Sequence, residues 1–287
     1  MEHLGNIFRY IRQSKSISLA KLADNKVSVS QLSKFERGLS ELSVDKFFYL
    51  LEKLDVSLEE LALLNNFKQR DKTILFEINE LYNKKDSFLL DKKGLIYKKY
   101  YHSTQQIKYL HFHYLCQVLV HNLNHQPIPI KIETTIWQHL MSVETWSYYE
   151  LVLFNNFIFI FSEEKVTLLS KTILKRADFY KKIPSSRHEY PLIVLNLISF
   201  YLERKNLRQA ELYIQHLDTY LNHPDFIYEK NKLNFLKGIL LIHKNQLSEG
   251  IAQAKQAITI FSMFDLSDIA DTHQRYLDEL LNTQKQS

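Results

Sequence analysis

Residues 18–38 read SLAKLADNKVSVSQLSKFERG and contain the local signals that set the structure of the N-terminal part of the chain. Ser18 and Ser28 each precede an apolar-periodic run, at the position of an N-cap whose hydroxyl accepts from free N–H groups of the first turn. Gly38 stands where the second run ends, a common place for glycine. The pattern predicts a short helix, a polar turn near Asn25 and a second helix, which together form a helix-turn-helix.

The outward face of the second of these helices carries side chains suited to DNA. Gln31 has the geometry to bond adenine in a bidentate manner, and serine and lysine side chains contact base edges or phosphates. Arg12 and Lys15, on the preceding elements, are placed to clamp the DNA backbone on either side. The candidate DNA-binding residues are Arg12, Lys15, Ser28, Ser30, Gln31, Lys34 and Arg37.

The segments around this motif complete a predicted five-helix domain over residues 1–64. Ser43 has the position of an N-cap for the fourth helix, and Ser57 with Glu60 forms a capping box that opens the fifth. Residues 1–40 carry seven cations against three anions, whereas residues 41–64 carry two cations against six anions. A basic face backed by an acidic one orients a small domain on a polyanion.

The composition of the whole chain favours an all-α fold. The 287 residues include only 5 glycines and 5 prolines, too few for the tight turns of a β protein or the βα turns of an α/β enzyme. The single cysteine, Cys116, excludes an internal disulfide, and the start of the chain shows no signal segment. Residues 151–161 and 192–202, the most apolar stretches, are too short to cross a bilayer. We therefore expect a cytoplasmic protein that does not enter a membrane.

The remaining sequence predicts a linker over residues 65–72 and a helical repeat domain over residues 73–287. Ala210 and Gly250 occupy equivalent positions of two consecutive hairpins, 40 residues apart. Small residues at a helix crossing, with large ones a turn away, are what stacked helix pairs need. The pattern favours a degenerate tetratricopeptide-like α-solenoid, and an irregular helical bundle is the alternative.

Residues 27–38, VSVSQLSKFERG, and residues 42–54, LSVDKFFYLLEKL, resemble the Cro/C1-type DNA-binding domain and, more closely, the Rgg/GadR/MutR family of regulators. Residues 146–156, WSYYELVLFNN, extend this resemblance to the C-terminal part. Lys26 departs from the glycine usual in the Cro-like turn, and Val44 replaces a cysteine that crosslinks the dimer in some members. The resemblance implies a cytosolic homodimer that binds promoter DNA and whose repeat domain binds a short, imported, hydrophobic peptide.

Asparagines are the strongest candidates for contacts to such a peptide, because an extended backbone needs both donors and acceptors. Asn156 and Asn196 lie inside apolar helices, where helix propensity and burial both disfavour them. The alternative is that each bonds a loop carbonyl or an adjacent helix. Relatives often have an arginine where this chain has Phe159, so a more apolar peptide is expected. The candidate peptide-binding residues are Tyr149, Val152, Asn156, Phe159, Asn196, Tyr201, Asn234 and Phe235.

Other functions are less compatible with the sequence. One alternative is a DNA-binding regulator whose helical array binds a protein partner and no peptide; another is a protein-inhibiting peptide sensor with a vestigial helix-turn-helix. His121 and His125 have a spacing that is able to hold a metal, but no glutamate follows the first histidine as in a zincin. No glycine loop suited to phosphate is present, so we expect no cofactor, no metal and no enzymatic activity.

Overall fold

The computed structural model describes residues 3–64, 69–182 and 187–285. All regular structure in these ranges is helical, and the chain divides into two compact units, one ending at Lys92 and one beginning at Lys93. The predicted all-α fold is therefore confirmed. No helix in the described ranges is long and apolar enough to cross a bilayer.

The first unit contains the helices of the predicted DNA-binding domain and those that follow it. These are α1 (Leu4–Ser14), α2 (Leu19–Leu22), α3 (Val29–Glu36), α4 (Val44–Lys53), α5 (Leu58–Leu64), α6 (Gln69–Asn83) and the start of α7 (Ser87–Thr104). Of the predicted linker, residues 65–68 lie outside the described residues and residues 69–72 belong to α6. The predicted domain limits at residues 64 and 73 stay predictions.

Local sequence explains where the first helices begin. The hydroxyls of Ser18, Ser28, Ser43 and Ser57 each accept from the backbone N–H three residues later, at 3.1, 3.2, 3.5 and 3.1 Å. Glu60 returns the interaction by accepting from the Ser57 N–H at 2.7 Å, which completes the predicted capping box. Each cap satisfies a backbone donor that the helix itself leaves free.

The core of these helices is aromatic and aliphatic. Phe8 on α1 is fully buried and meets Phe35 of α3 edge-on, with 5.6 Å between the ring centroids. Leu22, Leu32 and Leu50 are also buried in this cluster. The periodic apolar residues of α1, α3 and α4 thus converge on one core and turn the opposite face of α3 to solvent.

The second unit is a series of helices joined by short turns. Its described helices after α7 are α8 (Ile107–Leu123), α9 (Ile130–Ser142), α10 (Tyr148–Phe157), α11 (Glu163–Leu174), α12 (Ala177–Lys182), α13 (Glu189–Glu203), α14 (Leu207–Tyr220), α15 (Ile227–His243), α16 (Leu247–Met263) and α17 (Ser267–Lys285). Short 3₁₀ helices at Ile158–Ile160 and Pro224–Phe226 follow α10 and precede α15. Helices α8, α10, α13 and α15 form a row in which each packs on the next, while α14 and α16 pack beside α13 and α15 as their hairpin partners.

The hairpin α15–α16 shows why small residues occur at the repeat positions. A Cβ atom on Gly250 would lie 2.6 Å from the carbonyl oxygen of Gly238, and one on Gly238 would lie 2.7 Å from the Ala254 nitrogen. The two backbones therefore approach more closely than any larger residue allows. Ala210, the residue equivalent to Gly250 in the preceding hairpin, is fully buried as well. This stacking is that of the predicted α-solenoid.

Candidate DNA interface and candidate peptide site

The polar face predicted for α3 is exposed in the structure. Ser30 and Lys34 are exposed on the helix, Arg37 is exposed directly after it, and Gln31 is half-buried between them. The exposed Ser28 caps the same helix N-terminus, whose free partial positive charge attracts phosphate. Five of the seven candidate DNA-binding residues therefore share one surface.

Lys46 is a further member of this surface that the sequence did not indicate. It lies in the first turn of α4, and its Nζ donates to Oε1 of Gln31 at 3.3 Å. The contact adds a cation beside Gln31 and restrains the amide that is the candidate for base recognition. The only sequence signal for it was its place three residues after the Ser43 cap, which does not reveal what lies across from α4.

The structure corrects the prediction that Arg12 belongs to the DNA interface. Its side chain is buried and donates from Nε to Oε1 of Glu36 at 2.6 Å and from Nη2 to Oε2 at 2.8 Å. Its Nη1 donates to the Ile17 carbonyl oxygen at 2.6 Å. With its guanidinium engaged inside the domain, Arg12 is not available to a DNA phosphate. It holds α1 against α3 instead.

Lys15 is exposed but lies apart from the α3 surface. Its Nζ donates to the carbonyl oxygen of Asp55, just after α4 ends, at 3.3 Å. Gln31 instead lies beside the first turn of α4, and a ten-residue helix is about 15 Å long. The structure therefore does not bring Lys15 together with Gln31.

The turn between α2 and α3 is closed by Asp24. Its Oδ1 accepts from the backbone N–H groups of Lys26 and Val27 at 2.9 and 3.2 Å. Its Oδ2 accepts from Lys53 Nζ at 2.9 Å and from the Tyr49 hydroxyl, both on α4. The hydrogen bonds from Tyr49 and Lys53 lower the pKa of the Asp24 carboxyl. Lys26 does not have positive φ, so this turn needs no glycine.

In the second unit, an asparagine pair joins α10 to α13. Nδ2 of Asn196 donates to Oδ1 of Asn155 at 2.8 Å, and both residues are partly buried. Asn156, the residue predicted from the sequence, instead donates to the Val152 carbonyl oxygen of its own helix at 2.7 Å. The sequence thus indicated the two helices that carry this asparagine pair but did not single out Asn155.

The remaining candidates of this stretch divide between α10 and the 3₁₀ helix that follows it. Tyr149 and Val152 lie on the helix and are partly buried, and the Tyr149 hydroxyl shares a hydrogen bond with Nδ1 of His111 at 2.5 Å. Phe159 lies beyond the end of α10, in the 3₁₀ helix, with 41% of its surface exposed. A change of helix type therefore separates Phe159 from Tyr149 and Val152, and it alters the spacing of side chains around the helix axis.

The structure also corrects the prediction that Tyr201 and Phe235 bind a peptide, since both side chains belong to the core. Tyr201 is fully buried, stacks on Tyr213 with centroids 5.5 Å apart, and shares a hydrogen bond of 2.8 Å with the Thr167 hydroxyl. Phe235 is 2% exposed and meets the His273 ring edge-on at 4.5 Å. Neither ring is available to a ligand.

Asn234 is partly exposed but faces different helices from the asparagine pair. Its Oδ1 accepts from Nε2 of Gln253 on α16 at 2.7 Å. It also lines a cavity with Asp218 and Asn222, which belong to the end of α14 and its following turn. The structure therefore does not bring Asn234 together with Asn196.

A polar cluster that the sequence did not indicate packs against α10. It consists of His111, His139 and Glu150. His111 of α8 and His139 of α9 have ring centroids 4.7 Å apart, and both rings pack against Tyr149. Burial, together with His139, lowers the pKa of His111 to about 3. Burial raises the pKa of the Glu150 carboxyl, but the His139 ring and hydrogen bonds from Ser147 outweigh it and bring that pKa to about 2.

The histidine pair considered for a metal does not form a helical i,i+4 pair. Helix α8 ends at Leu123, and His125 follows it with a φ of 51°. In the described ranges, no group of three histidine, cysteine, aspartate or glutamate side chains is arranged to hold a metal ion.

The fold and these sites define a transcription regulator with a helix-turn-helix DNA-binding unit and a helical repeat unit. The family model described as "HTH-type transcriptional regulator Rgg, C-terminal domain" matches residues 95–275, and a helix-turn-helix model matches residues 8–61. The chain belongs to the Rgg family, whose members are regulators and not enzymes.

Solved structures share this architecture at low sequence identity. A protein of Listeria monocytogenes EGD-e has a TM-score of 0.86 at 20% identity, covering 99% of this chain and 98% of its own. The SHP pheromone receptor Rgg2 of Streptococcus dysgalactiae has a TM-score of 0.78 at 22% identity, covering 96% and 99%. A bacterial peptide pheromone/receptor complex has a TM-score of 0.73 at 20% identity, covering 98% of both chains.

Proposed function

We propose that this regulator is a cytoplasmic homodimer whose binding to promoter DNA is controlled by a short hydrophobic peptide held at the α10–α13 asparagine pair. Family membership supports the DNA-binding part. Two similar structures, a pheromone receptor and a peptide pheromone/receptor complex, support the choice of ligand.

The observation that carries the peptide assignment is the bond between Asn155 and Asn196. Each amide has a carbonyl oxygen and two N–H groups, and this bond uses one N–H of Asn196 and one lone pair of Asn155. Donors on Asn155 and the acceptor oxygen of Asn196 remain for the backbone of an extended peptide. The partly exposed Val152 and Phe159 offer apolar surface for its side chains. This combination suits a hydrophobic peptide whose backbone must be satisfied away from water.

Control of DNA binding requires that the peptide bind one arrangement of the dimer more tightly than another, because a ligand shifts an equilibrium only by its differential affinity. In a dimer, two copies of α3 contact successive major grooves, one helical turn or a multiple apart. A change in their spacing is therefore sufficient to change the affinity for an operator.

The test is binding of the full chain to duplex DNA from its own upstream region, measured across a salt titration with and without short apolar peptides encoded nearby. We expect a steep loss of affinity with salt and a change of affinity caused by one peptide. Asn196→Ala should abolish the peptide effect and retain DNA binding, whereas Asn282→Ala, an exposed asparagine of α17, should change neither.

Tight DNA binding that no peptide alters would refute the peptide assignment and favour the alternative, a regulator whose helical array binds a protein partner. If Asn196→Ala unfolds the repeat unit, the asparagine pair is structural and the proposed site is wrong.

A further inference from the structure

A cavity of about 550 Å³ lies between α7, α8 and α9 in the second unit. Leu110 and Tyr114 of α8 and Ile132 of α9 supply apolar surface to it. Its volume is in the range of protein sites for small molecules. The rings of Tyr97 on α7 and Phe112 on α8 pack against each other at a tilt, with 5.6 Å between their centroids.

The charge of this cavity has one sign. Lys98 of α7 and Lys131 of α9 line it, and no carboxylate of the described residues does. Neither ammonium group forms an ion pair within the part of the chain that the structure describes. Two other cavities of the same unit differ, since Glu163 lines one and Asp218 lines the other. A ligand with a negatively charged head and an apolar body is complementary to this cavity, because the head would pair with the two lysines and the body would contact the apolar wall.

We propose that this cavity binds a small amphipathic anion, with its carboxylate, sulfonate or phosphate head between Lys98 and Lys131 and its apolar body against Leu110 and Ile132. His102, also at the cavity, supplies a further polar contact for the head. The ligand is a small molecule and not a protein segment, because the volume of the cavity is that of a site for a drug-sized molecule.

This site is separate from the asparagine pair. The cavity uses the face of α8 that carries Leu110, Tyr114 and Gln117, spaced at i, i+4 and i+7. His111 points from a different face of α8 to the hydroxyl of Tyr149 on α10. Binding in the cavity therefore does not require the peptide, and its test is independent of the proposed function.

The experiment uses the full chain and two fluorescent probes of similar shape, anionic 8-anilinonaphthalene-1-sulfonate and neutral N-phenyl-1-naphthylamine. We expect the double variant Lys98→Gln, Lys131→Gln to weaken sulfonate binding at least tenfold and to leave the neutral probe within twofold. Lys175→Gln, which removes an exposed lysine outside the cavity, is the matched control and should bind both probes as the parent does.

A second variant tests the apolar part of the site. Thr135→Phe places a ring at the cavity wall and should weaken both probes, with circular dichroism confirming that the helices are retained. The proposal is overturned if the double lysine variant binds the sulfonate as tightly as the parent, if Lys175→Gln weakens it equally, or if Thr135→Phe folds and binds both probes unchanged.

Discussion

The guanidinium of Arg12 and the carboxylate of Glu36 form a two-point ion pair inside the DNA-binding unit, with N–O distances of 2.6 and 2.8 Å and residue exposures of 6% and 3%. The pair fastens α1 to the last residue of α3. It therefore fixes the helix that presents Gln31 and Lys34 without contacting DNA itself.

Removing one partner of this pair should destabilise the first unit. Glu36→Gln leaves the Arg12 charge buried without its counterion, which costs about 3–5 kcal/mol in comparable sites. The check is hydrogen exchange of the α1 and α3 amides, which should lose protection. Arg9→Ala, at an exposed arginine of the same helix, should leave exchange unchanged. Equal exchange in Glu36→Gln and the parent would contradict the structural role given to the pair.

The starts of the first helices were predictable because their signals are local. A serine such as Ser28 or Ser43 caps the helix that follows it within three residues, so the sequence alone shows the interaction. The burial of Arg12 was not predictable, since its partner lies 24 residues away and an arginine on a short basic helix normally faces solvent. The structure of the turn at Asp24 was not predictable for the same reason, because Lys53, which donates to the Asp24 carboxylate, is 29 residues away.

Substitutions on the exposed surface of α3 should separate the recognition of DNA bases from the electrostatic attraction to the DNA backbone. Gln31→Ala should weaken binding to the operator by about 1–3 kcal/mol per lost bidentate contact and leave binding to random DNA unchanged. Lys34→Ala should weaken both and reduce the salt slope by about one. Fluorescence anisotropy with operator and scrambled duplexes distinguishes these results. Equal losses on both duplexes for Gln31→Ala would contradict its role in base recognition.

Lys46 should affect specificity through Gln31. Since its Nζ donates to Oε1 of Gln31, Lys46→Met should release that amide and reduce discrimination between operator and scrambled duplex, in addition to lowering the salt slope. Lys21→Met serves as the comparison, since Lys21 is an exposed lysine of α2 and the side-chain amide of Gln31 is bonded by Lys46 instead. A variant that lowers the salt slope but keeps full discrimination would show that the Lys46–Gln31 contact has no part in recognition.

The candidate peptide site was predictable only in outline. The sequence indicated α10 and α13 because asparagine is rare inside apolar helices, and both helices do contribute to the asparagine pair. It failed for Tyr201 and Phe235 because aromatic periodicity does not distinguish a ring that faces the next helix from one that faces a ligand. The 3₁₀ helix that replaces α10 after Phe157 was not predictable either, because no glycine or proline marks a helix end within residues 151–161.

The stability of the second unit should fall as the pH decreases from neutrality. His111 has a pKa of about 3 in the folded chain against an ordinary value of 6.5, so between these values the unfolded chain binds a proton that the folded chain does not. The contribution of His111 to the free energy of unfolding is full above pH 6.5, and it declines by up to about 1.4 kcal/mol per pH unit below that value. Denaturant titrations from pH 7 to 5 should show a shallower decline in His111→Gln than in the parent. His102→Gln, at an exposed histidine, should decline as steeply as the parent does, and an unchanged slope in His111→Gln would contradict the assignment.

The crossing of α15 and α16 should not accept a methyl group at Gly250. Gly250→Ala raises helix propensity by about 1 kcal/mol, which alone would stabilise α16. The added Cβ would lie 2.6 Å from the Gly238 carbonyl oxygen, a backbone atom that moves only with its helix. Overpacking of this kind costs about 1–3 kcal/mol, so the net effect should be destabilising. Ser248→Ala, on an exposed position of the same helix, should keep the gain in propensity without the clash. Thermal unfolding of the two variants is the measurement. We expect a lower midpoint temperature for Gly250→Ala and an unchanged or higher one for Ser248→Ala. A rise of the midpoint in both variants would mean that the two helices separate without cost.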